Sequence, residues 1–238
     1  MCMEIGGCIH CTNQYCSKRL KLFSHLNKEE LSKINNLIIR EKCDRGEVMF
    51  HEGELLENLY VVSSGRLKAY KITPEGKEQI LYIFSGGDFF GDLSLLRGKR
   101  LNFNIEAIED TVFCVLRKNH FRSLILSDPS IALKALEMLA QRLQDLEMLI
   151  EGLGVQNATL RIAKVLSKLA KRYGNKVEGG IEVNLSLRQE DLASYTGMAR
   201  ETVSRKLGKL QDEGIIKITD NKKLLVTDIN RLSNYTEQ

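Results

Sequence analysis

The sequence predicts an α+β chain in three successive parts: a strand-rich N-terminal half, one long amphipathic helix, and a C-terminal unit in which helices precede a β-hairpin. Three observations predict this order. Short β-rich runs separated by glycines occupy residues 20–126, leucines at steps of three and four follow in residues 136–153, and helix periodicity alternates with glycine turns after that. The 238 residues, 43% of them hydrophobic and 28% charged, are enough for two modest domains with cores of their own.

The N-terminal half, residues 19–127, is predicted to be an antiparallel barrel or jelly roll. Its β-rich runs are "GEVMFHEG", "NLYVVSSGRLKAYKI", "EQILYIFSGGDFFG" and "NIEAIEDTVFCVL", and helix periodicity does not fit this stretch. Glycines fall near the run ends, where turns need them: Gly46, Gly53, Gly65, Gly76, Gly86 and Gly91. Residues 1–18 form a separate cysteine-bearing segment before the roll.

A long helix is predicted over residues 128–154. Asp128 and Pro129 are typical of a helix start, and Gly152 and Gly154 weaken its end. The stripe at alternating steps of three and four consists of Leu136, Leu139, Leu143, Leu146, Ile150 and Leu153. This narrow repeat favours a coiled-coil seam between two copies of the chain; the alternative is a helix buried against its own domain.

The C-terminal part, residues 155–238, has the element order of a winged helix-turn-helix domain. The sequence predicts a helix over about residues 188–195, a turn at Thr196 and Gly197, and a second helix over about 199–213 that Gly214 stops. The runs "IIKI" and "LLVT" then form a hairpin wing. This part carries 15 Lys and Arg against 10 Asp and Glu, a net +5, while the rest of the chain nets −1, so nucleic acid is a candidate partner.

The second of these helices is the candidate DNA-reading helix, because the first turns of such a helix reach base edges in the major groove. The predicted base-reading residues are Arg200, Glu201, Ser204 and Arg205, and the predicted phosphate contacts are Lys206 and Lys209. The base-reading positions share one helix face; Arg can bind guanine O6 and N7, Glu can accept from cytosine N4, and Ser can serve either kind of edge. The alternative is a solvated helix with an ordinary pair between Glu201 and Arg205, which the turn and the wing disfavour.

The stretch "LRQEDLASYTGMARETVSRKLGKLQDEGII", with "RETVSR" inside it, and the earlier "GDFFGDLSLL" resemble the bacterial CRP/FNR transcription regulators. The resemblance covers nearly the whole chain and implies a jelly-roll-like β-roll as the sensor domain over residues 19–127. Within that family, "GGCIHCTNQYC" together with "EDTVFCVL" is similar to FNR, the oxygen-sensing branch that carries a 4Fe-4S cluster. The resemblance implies one such cluster per subunit, held by Cys8, Cys11, Cys16 and Cys114, since the cluster needs four thiolates.

The cysteine spacing departs from that of FNR. Two and then four residues separate the three N-terminal cysteines, where FNR has two and then five, so Cys2 and His10 are alternative ligands. Zinc bound by four thiolates, a thiol/disulfide switch and inert thiols are the competing interpretations. Cys43, in "REKCDRG", is expected to be a small buried residue of the fold.

The cyclic-AMP branch of the family has, in its roll, a Glu for the ribose and an Arg followed by Ser or Thr for the phosphate. This chain has "GDLSLLRGKRLNFNIEA" there, with Asp92 in place of the Glu and Leu101 after Arg100. Because leucine cannot donate to a phosphate, we expect no cyclic-nucleotide binding.

The DNA site is expected to be a palindrome with TGA-core half-sites. Glu201 and Arg205 match the pair that reads the shared G·C step in both branches, Ser204 resembles FNR, which reads TTGAT, and Arg200 resembles the cyclic-AMP branch, which reads TGTGA. Since Arg200 can bind an extra guanine, TGTGA is favoured. RNA polymerase is a further partner that the resemblance implies.

In FNR, an acidic residue in the helix seam helps the dimer to weaken when the cluster is lost. The resemblance places Leu146 at that position, and Asp145 lies off the seam. An apolar seam needs no cluster to hold together, so we expect a homodimer with and without the cluster.

Other classes of protein find little support in the sequence. No apolar run is long enough to cross a bilayer and no secretion signal is present, so a cytoplasmic protein is expected. No Ser/His/Asp order, phosphate-binding glycine loop or metal-hydrolase motif occurs, and His25, His51 and His120 are scattered singly. An enzyme is therefore not expected; the alternative to a cluster-based sensor is a thiol-switched or small-ligand-gated regulator on the same fold.

Overall fold

The structure, a computed structural model of the chain, describes residues 3–4, 21–23, 26–91, 98–154, 157–183, 189–218 and 224–234. Within these limits the chain forms two compact units. One contains residues up to 72 together with 80–145, and the other contains 73–79 together with 146–238.

Two sheets form the body of the strand-rich half. Their strands are β1 (Met3–Glu4), β2 (Ile38–Cys43), β3 (Val48–Phe50), β4 (Asn58–Ser64), β5 (Arg66–Ile72), β6 (Glu78–Ser85), β7 (Phe89–Phe90), β8 (Asn104–Ala107) and β9 (Thr111–Arg117). The five-stranded sheet has the order β1-β2-β9-β4-β7, and the four-stranded sheet has the order β3-β8-β5-β6. The pairs β2–β9, β4–β9 and β5–β8 are antiparallel, so the predicted roll is confirmed.

Alternation along β9 places its side chains in two different cores. Phe113 and Val115 belong to the core that residues of both sheets share. Cys114 and Leu116 belong to a second core on the other face of the five-stranded sheet. Successive side chains of a strand point to opposite faces, which is why neighbours in sequence are separated in this way.

Helices cover that second face, and two of them correct the sequence-based expectation that helix periodicity is absent from residues 20–126. These are α1 (Lys28–Asn35) and α2 (Lys118–Ser127). α1 begins at a capping box, in which the Asn27 side chain accepts from the N–H of Glu30 at 3.0 Å and the Glu30 carboxylate accepts from the N–H of Asn27 at 2.8 Å. α1 has only eight residues and α2 follows β9 without a break, so neither shows a long repeat in the sequence.

The long helix, α3, spans Pro129–Gly154 and agrees with the predicted range 128–154. One of its faces packs on the second core, where Ile131 is buried and Met138 and Leu139 are half-buried. Arg142 also ties the helix to the roll: its Nη2 donates to the carbonyl oxygen of Phe89. Its guanidinium carbon lies 5.7, 5.2 and 5.3 Å from the ring centroids of Tyr82, Phe84 and Phe89, as cation–π contacts require.

The predicted seam divides between two environments. Leu136, Leu143 and Ile150, seven residues apart, are 61%, 58% and 68% exposed in the single chain. Leu139 and Leu146 are half-buried, and the Leu153 side chain lies outside the described residues. The alternative of a helix buried against its own domain therefore holds for one face of α3, while an apolar stripe is exposed on another.

The second unit has the predicted order of helix, turn, helix and wing. Its elements are α4 (Ala158–Tyr173), β10 (Gly174–Val177), β11 (Gly180–Val183), α5 (Gln189–Thr196), α6 (Arg200–Asp212), β12 (Ile216–Ile218), β13 (Leu224–Val226) and α7 (Ile229–Asn234). The strands form one sheet in the order β10-β11-β13-β12. The amphipathic run of residues 155–174 and the extended run of residues 181–187 predict α4 and β11, whereas no sequence signal predicted β10 and α7. No helix within the described ranges combines the length and apolarity that crossing a bilayer needs.

Candidate DNA-binding surface and cysteine site

α6 has one buried face and one open face. Val203, Leu207 and Leu210 are 0%, 3% and 0% exposed, and they follow the helix repeat. Val203 and Leu207 line an apolar pocket together with residues of α4 and α5. The helix therefore turns its other face outward, and the four predicted base-reading residues, Arg200, Glu201, Ser204 and Arg205, are all exposed there.

The turn before α6 is held by hydrogen bonds to α4 and α5. Gly197 has φ +65°, a left-handed conformation that glycine adopts without strain. The N–H of Met198 donates to the carbonyl oxygen of Ala193 at 3.0 Å, and the Thr196 hydroxyl donates to that of Leu192 at 2.7 Å. Nη1 of Arg161, on α4, donates to the carbonyl oxygen of Thr196 at 3.3 Å. These contacts fix the angle at which α6 leaves the turn.

Two charged residues of α6 have partners within the unit. Arg200 Nη1 lies 2.9 Å from Glu190 Oε1, which belongs to α5. Lys209 Nζ lies 3.7 Å from Glu213 Oε1 just after the helix, and Lys206 is half-buried. Sequence reasoning missed Glu190, because its partner lies on another helix, beyond the reach of local spacing rules.

The wing is an antiparallel pair beside α6. Ile216 of β12 stands opposite Val226 of β13, and the Thr227 hydroxyl donates to the carbonyl oxygen of Gly214 at 2.6 Å. Residues 219–223, which join the two strands, lie outside the described residues.

Cys114 lies in the middle of β9, opposite Arg40 of β2 and Val61 of β4. It is 2% exposed, in the same core cluster as Leu22 and Phe23. The predicted ligands Cys8, Cys11 and Cys16, like Cys2 and His10, lie outside the described residues, and so the structure places only Cys114. Across the part of the chain that is described, no three or more His, Cys, Asp and Glu side chains gather in a way that could hold a metal ion.

Cys43 is the second buried cysteine, and it lies in the core between the sheets. Its Sγ lies 3.9 and 3.8 Å from the carbonyl oxygens of Asp44 and Glu47, within the range of weak thiol hydrogen bonds. The expected role as a small buried residue agrees with this position.

Of the stretch compared with a nucleotide site, the structure describes Gly91 and residues 98–107. Leu101 is 7% exposed in the core between the sheets, and exposed Arg100 donates from Nη1 to the carbonyl oxygen of Gly53 at 2.9 Å. Aromatic rings pack in the same core, where Tyr60 and Phe90 stack with centroids 5.0 Å apart. Asp92 lies outside the described residues. The absence of cyclic-nucleotide binding is still a prediction.

Comparison with known proteins gives relatives along nearly the whole chain. The Anaerobic regulatory protein of Haemophilus influenzae is 30% identical over 237 residues, covering 98% of this chain and 91% of that one. The Fumarate and nitrate reduction regulatory protein of Escherichia coli is 30% identical over 219 residues, covering 91% of this chain and 86% of that one. The solved structure of a CooA mutant from Carboxydothermus hydrogenoformans superposes with a TM-score of 0.76 at 26% identity, covering 92% of this chain and 95% of that one.

A β-roll, a long helix and a winged helix-turn-helix unit with an open reading helix together define a DNA-binding transcription regulator. Family models agree: residues 40–128 match the Cyclic nucleotide-binding domain, and residues 160–235 match the Crp-like helix-turn-helix domain. The chain belongs to the CRP/FNR family of transcription regulators. Because that family consists of regulators, the prediction that the chain is not an enzyme is confirmed.

Proposed function

We propose that this regulator responds to oxygen or redox state through one 4Fe-4S cluster per subunit, held by Cys8, Cys11, Cys16 and Cys114. The position of Cys114 carries the proposal. It lies in the same core as Leu22 and Phe23, and these residues follow the cysteine-bearing segment within a few positions of the chain. Two relatives are named an anaerobic regulatory protein and a fumarate and nitrate reduction regulatory protein, and these names support a response to oxygen or redox state.

The surroundings of Cys114 suit a cluster ligand. The thiol is buried among apolar side chains that include Leu59, Val61 and Leu116. An isolated thiolate is costly in such surroundings, whereas a thiolate bound to iron is neutralised by the metal, and an apolar shell limits solvent access. When bound, the cluster supplies a centre that reacts with oxidants. Within the described residues, the chain's contribution is to hold the Cys114 thiolate on the central strand β9.

Iron and acid-labile sulfide in anaerobically purified protein test this proposal. We expect about four of each per chain and a visible spectrum that bleaches in air. Cys114→Ser should lose most of the iron, because one of four thiolates is gone. Cys43→Ser is the matched control, since Cys43 is equally buried, at 1% against 2%, and should keep the iron.

Equal iron in Cys114→Ser and in the unmodified protein would contradict the ligand assignment. A colourless, iron-free protein would move sensing to a thiol/disulfide switch or to a small ligand, and would leave DNA binding intact. The iron content of Cys2→Ala and of His10→Ala determines whether either residue is a ligand in place of Cys8, Cys11 or Cys16.

For DNA, we infer a palindromic site with TGA cores that is bound by a homodimer, with RNA polymerase as a further partner. In this proposal Glu201 and Arg205 read the shared G·C step, Ser204 serves a neighbouring edge, and Arg200 binds the first guanine of TGTGA. Lys206 and Lys209 contact phosphates. The exposure of the base-reading residues on the open face of α6 supports these roles.

Binding-site selection with Arg200→Ala tests the base assignment. We expect the variant to lose its preference at the first guanine of TGTGA and to keep the TGA core, because a bidentate arginine contact provides about 1–3 kcal/mol of discrimination. Lys209→Ala is the control: it should weaken binding to all sequences about equally and reduce the salt dependence. An unchanged motif for Arg200→Ala would show that another residue reads that guanine.

A further inference from the structure

Glu190 and Arg200 form an ion pair between the two helices of the helix-turn-helix. The carboxylate Oε1 lies 2.9 Å from Nη1, and the two side chains are 58% and 60% exposed. Arg200 is the first residue of α6, and Glu190 lies in the first turn of α5. Among the described residues, Glu190 is the one side chain that binds the Arg200 guanidinium.

Neither stability nor overall DNA affinity accounts for a carboxylate at this position. An exposed ion pair contributes little to the free energy of folding, because water screens it. A negative charge beside the reading helix also repels the phosphates of DNA, which lowers affinity for every sequence. The remaining contribution of Glu190 is therefore to hold the Arg200 guanidinium in one position.

The geometry of the guanidinium allows Arg200 to bind Glu190 and a base together. An arginine side chain carries five N–H donors in a fixed planar fork. Glu190 binds Nη1, and no other residue that the structure describes binds the edge formed by Nε and Nη2. Guanine presents two acceptors, O6 and N7, that match one such edge. Held on one side, this long side chain loses less rotamer freedom when it binds the base.

We propose that Glu190 is a positioning residue that sets the preference for guanine at the base pair read by Arg200. The proposal rests on the proposed DNA-reading role of α6. It extends the specificity-determining set from the reading helix to the preceding helix, and it assigns the effect to one base pair of each half-site.

The test measures the affinity of anaerobically purified full-length protein for TGTGA sites and for sites in which the first guanine is replaced. The ratio of the first affinity to the second measures the preference for guanine. In Glu190→Ala we expect this ratio to fall by about fivefold, the lower end of what a bidentate arginine contact provides. Asp191→Ala is the matched control, since it removes the same charge from the next residue of the same helix turn. It should raise affinity for both sites alike and leave the ratio unchanged.

Arg200→Ala, alone and with Glu190→Ala, completes a double-mutant cycle. If Glu190 acts through Arg200, its removal has no further effect on the ratio once Arg200 is gone. Glu190→Gln, whose amide oxygen can still accept from Nη1, should restore part of the ratio, whereas a merely structural role would instead appear as a lowered melting temperature.

An unchanged ratio in Glu190→Ala, or an equal fall in Asp191→Ala, would overturn the positioning role while specific DNA binding stands. Failure of the proposed function is a separate result: there the unmodified protein itself shows no preference for guanine, and the inference falls with it.

Discussion

Gly65 and Gly46 share a left-handed backbone conformation, with φ +86° at both, but differ in their surroundings. A Cβ at Gly65, between β4 and β5, would lie 2.5 Å from the carbonyl oxygen of Asp110 and 2.6 Å from the Cα of Thr111. A Cβ at Gly46 would meet no heavy atom within 4 Å. Gly46 is therefore needed for its backbone freedom alone, whereas Gly65 is also needed for its missing side chain.

Gly65→Ala and Gly46→Ala should differ in stability for that reason. We expect Gly46→Ala to lower the free energy of unfolding by about 1–2 kcal/mol, the cost of a left-handed alanine. Gly65→Ala should lower it by roughly 3 kcal/mol or more, because the backbone of β9 must also move. Thermal unfolding of the two variants beside the unmodified protein measures the difference. Equal melting temperatures for the pair would show that the backbone around Gly65 yields without cost.

At the scale of elements, α3 packs on the roll with one face and exposes an apolar stripe on another. Its leucine repeat predicts an apolar stripe, and the exposed residues Leu136, Leu143 and Ile150 are consistent with that stripe. The residues that pack on the roll, among them Ile131 and Arg142, lie on a different face. A repeat in the sequence predicts that a helix has an apolar face. Which residues of that face are buried depends on the elements that pack against it.

Two helices of the strand-rich half, α1 and α2, were missed, and the reason is physical. α1 has eight residues, and among its described side chains Leu31 and Ile34 are fully buried, a single step of three apart. Its capping box, Asn27 with Glu30, was a readable start signal that periodicity alone does not use. α2 begins at Lys118 directly after β9, and Arg117 makes no capping hydrogen bond through its side chain, so no local signal marks its start.

At the scale of the whole molecule, the exposed stripe of α3 predicts how two chains assemble. Replacing Leu143 by Glu puts a charge into the proposed seam, and we expect a monomer at micromolar concentration by light scattering. The unmodified protein should be a dimer both under anaerobic conditions and after exposure to air, because its seam is apolar at Leu146.

Leu126→Glu is the control for this experiment, since Leu126 is 75% exposed on α2, outside the seam. It should leave the dimer intact. Monomers of the air-treated, unmodified protein would show that the cluster is required for assembly, and a dimeric Leu143→Glu would place the interface elsewhere.

The sequence by itself determined the α+β class, the order of roll, long helix and winged helix-turn-helix, and the one face of α6 that carries the proposed reading residues. Turn glycines, helix repeats and charge are local properties, so they can be read along the chain. The tertiary structure alone decided that Cys114 and Cys43 face different cores, and that Glu190 binds Arg200. These relations join residues on different elements, and their partners are set by how strands pair and helices cross, which no local pattern contains.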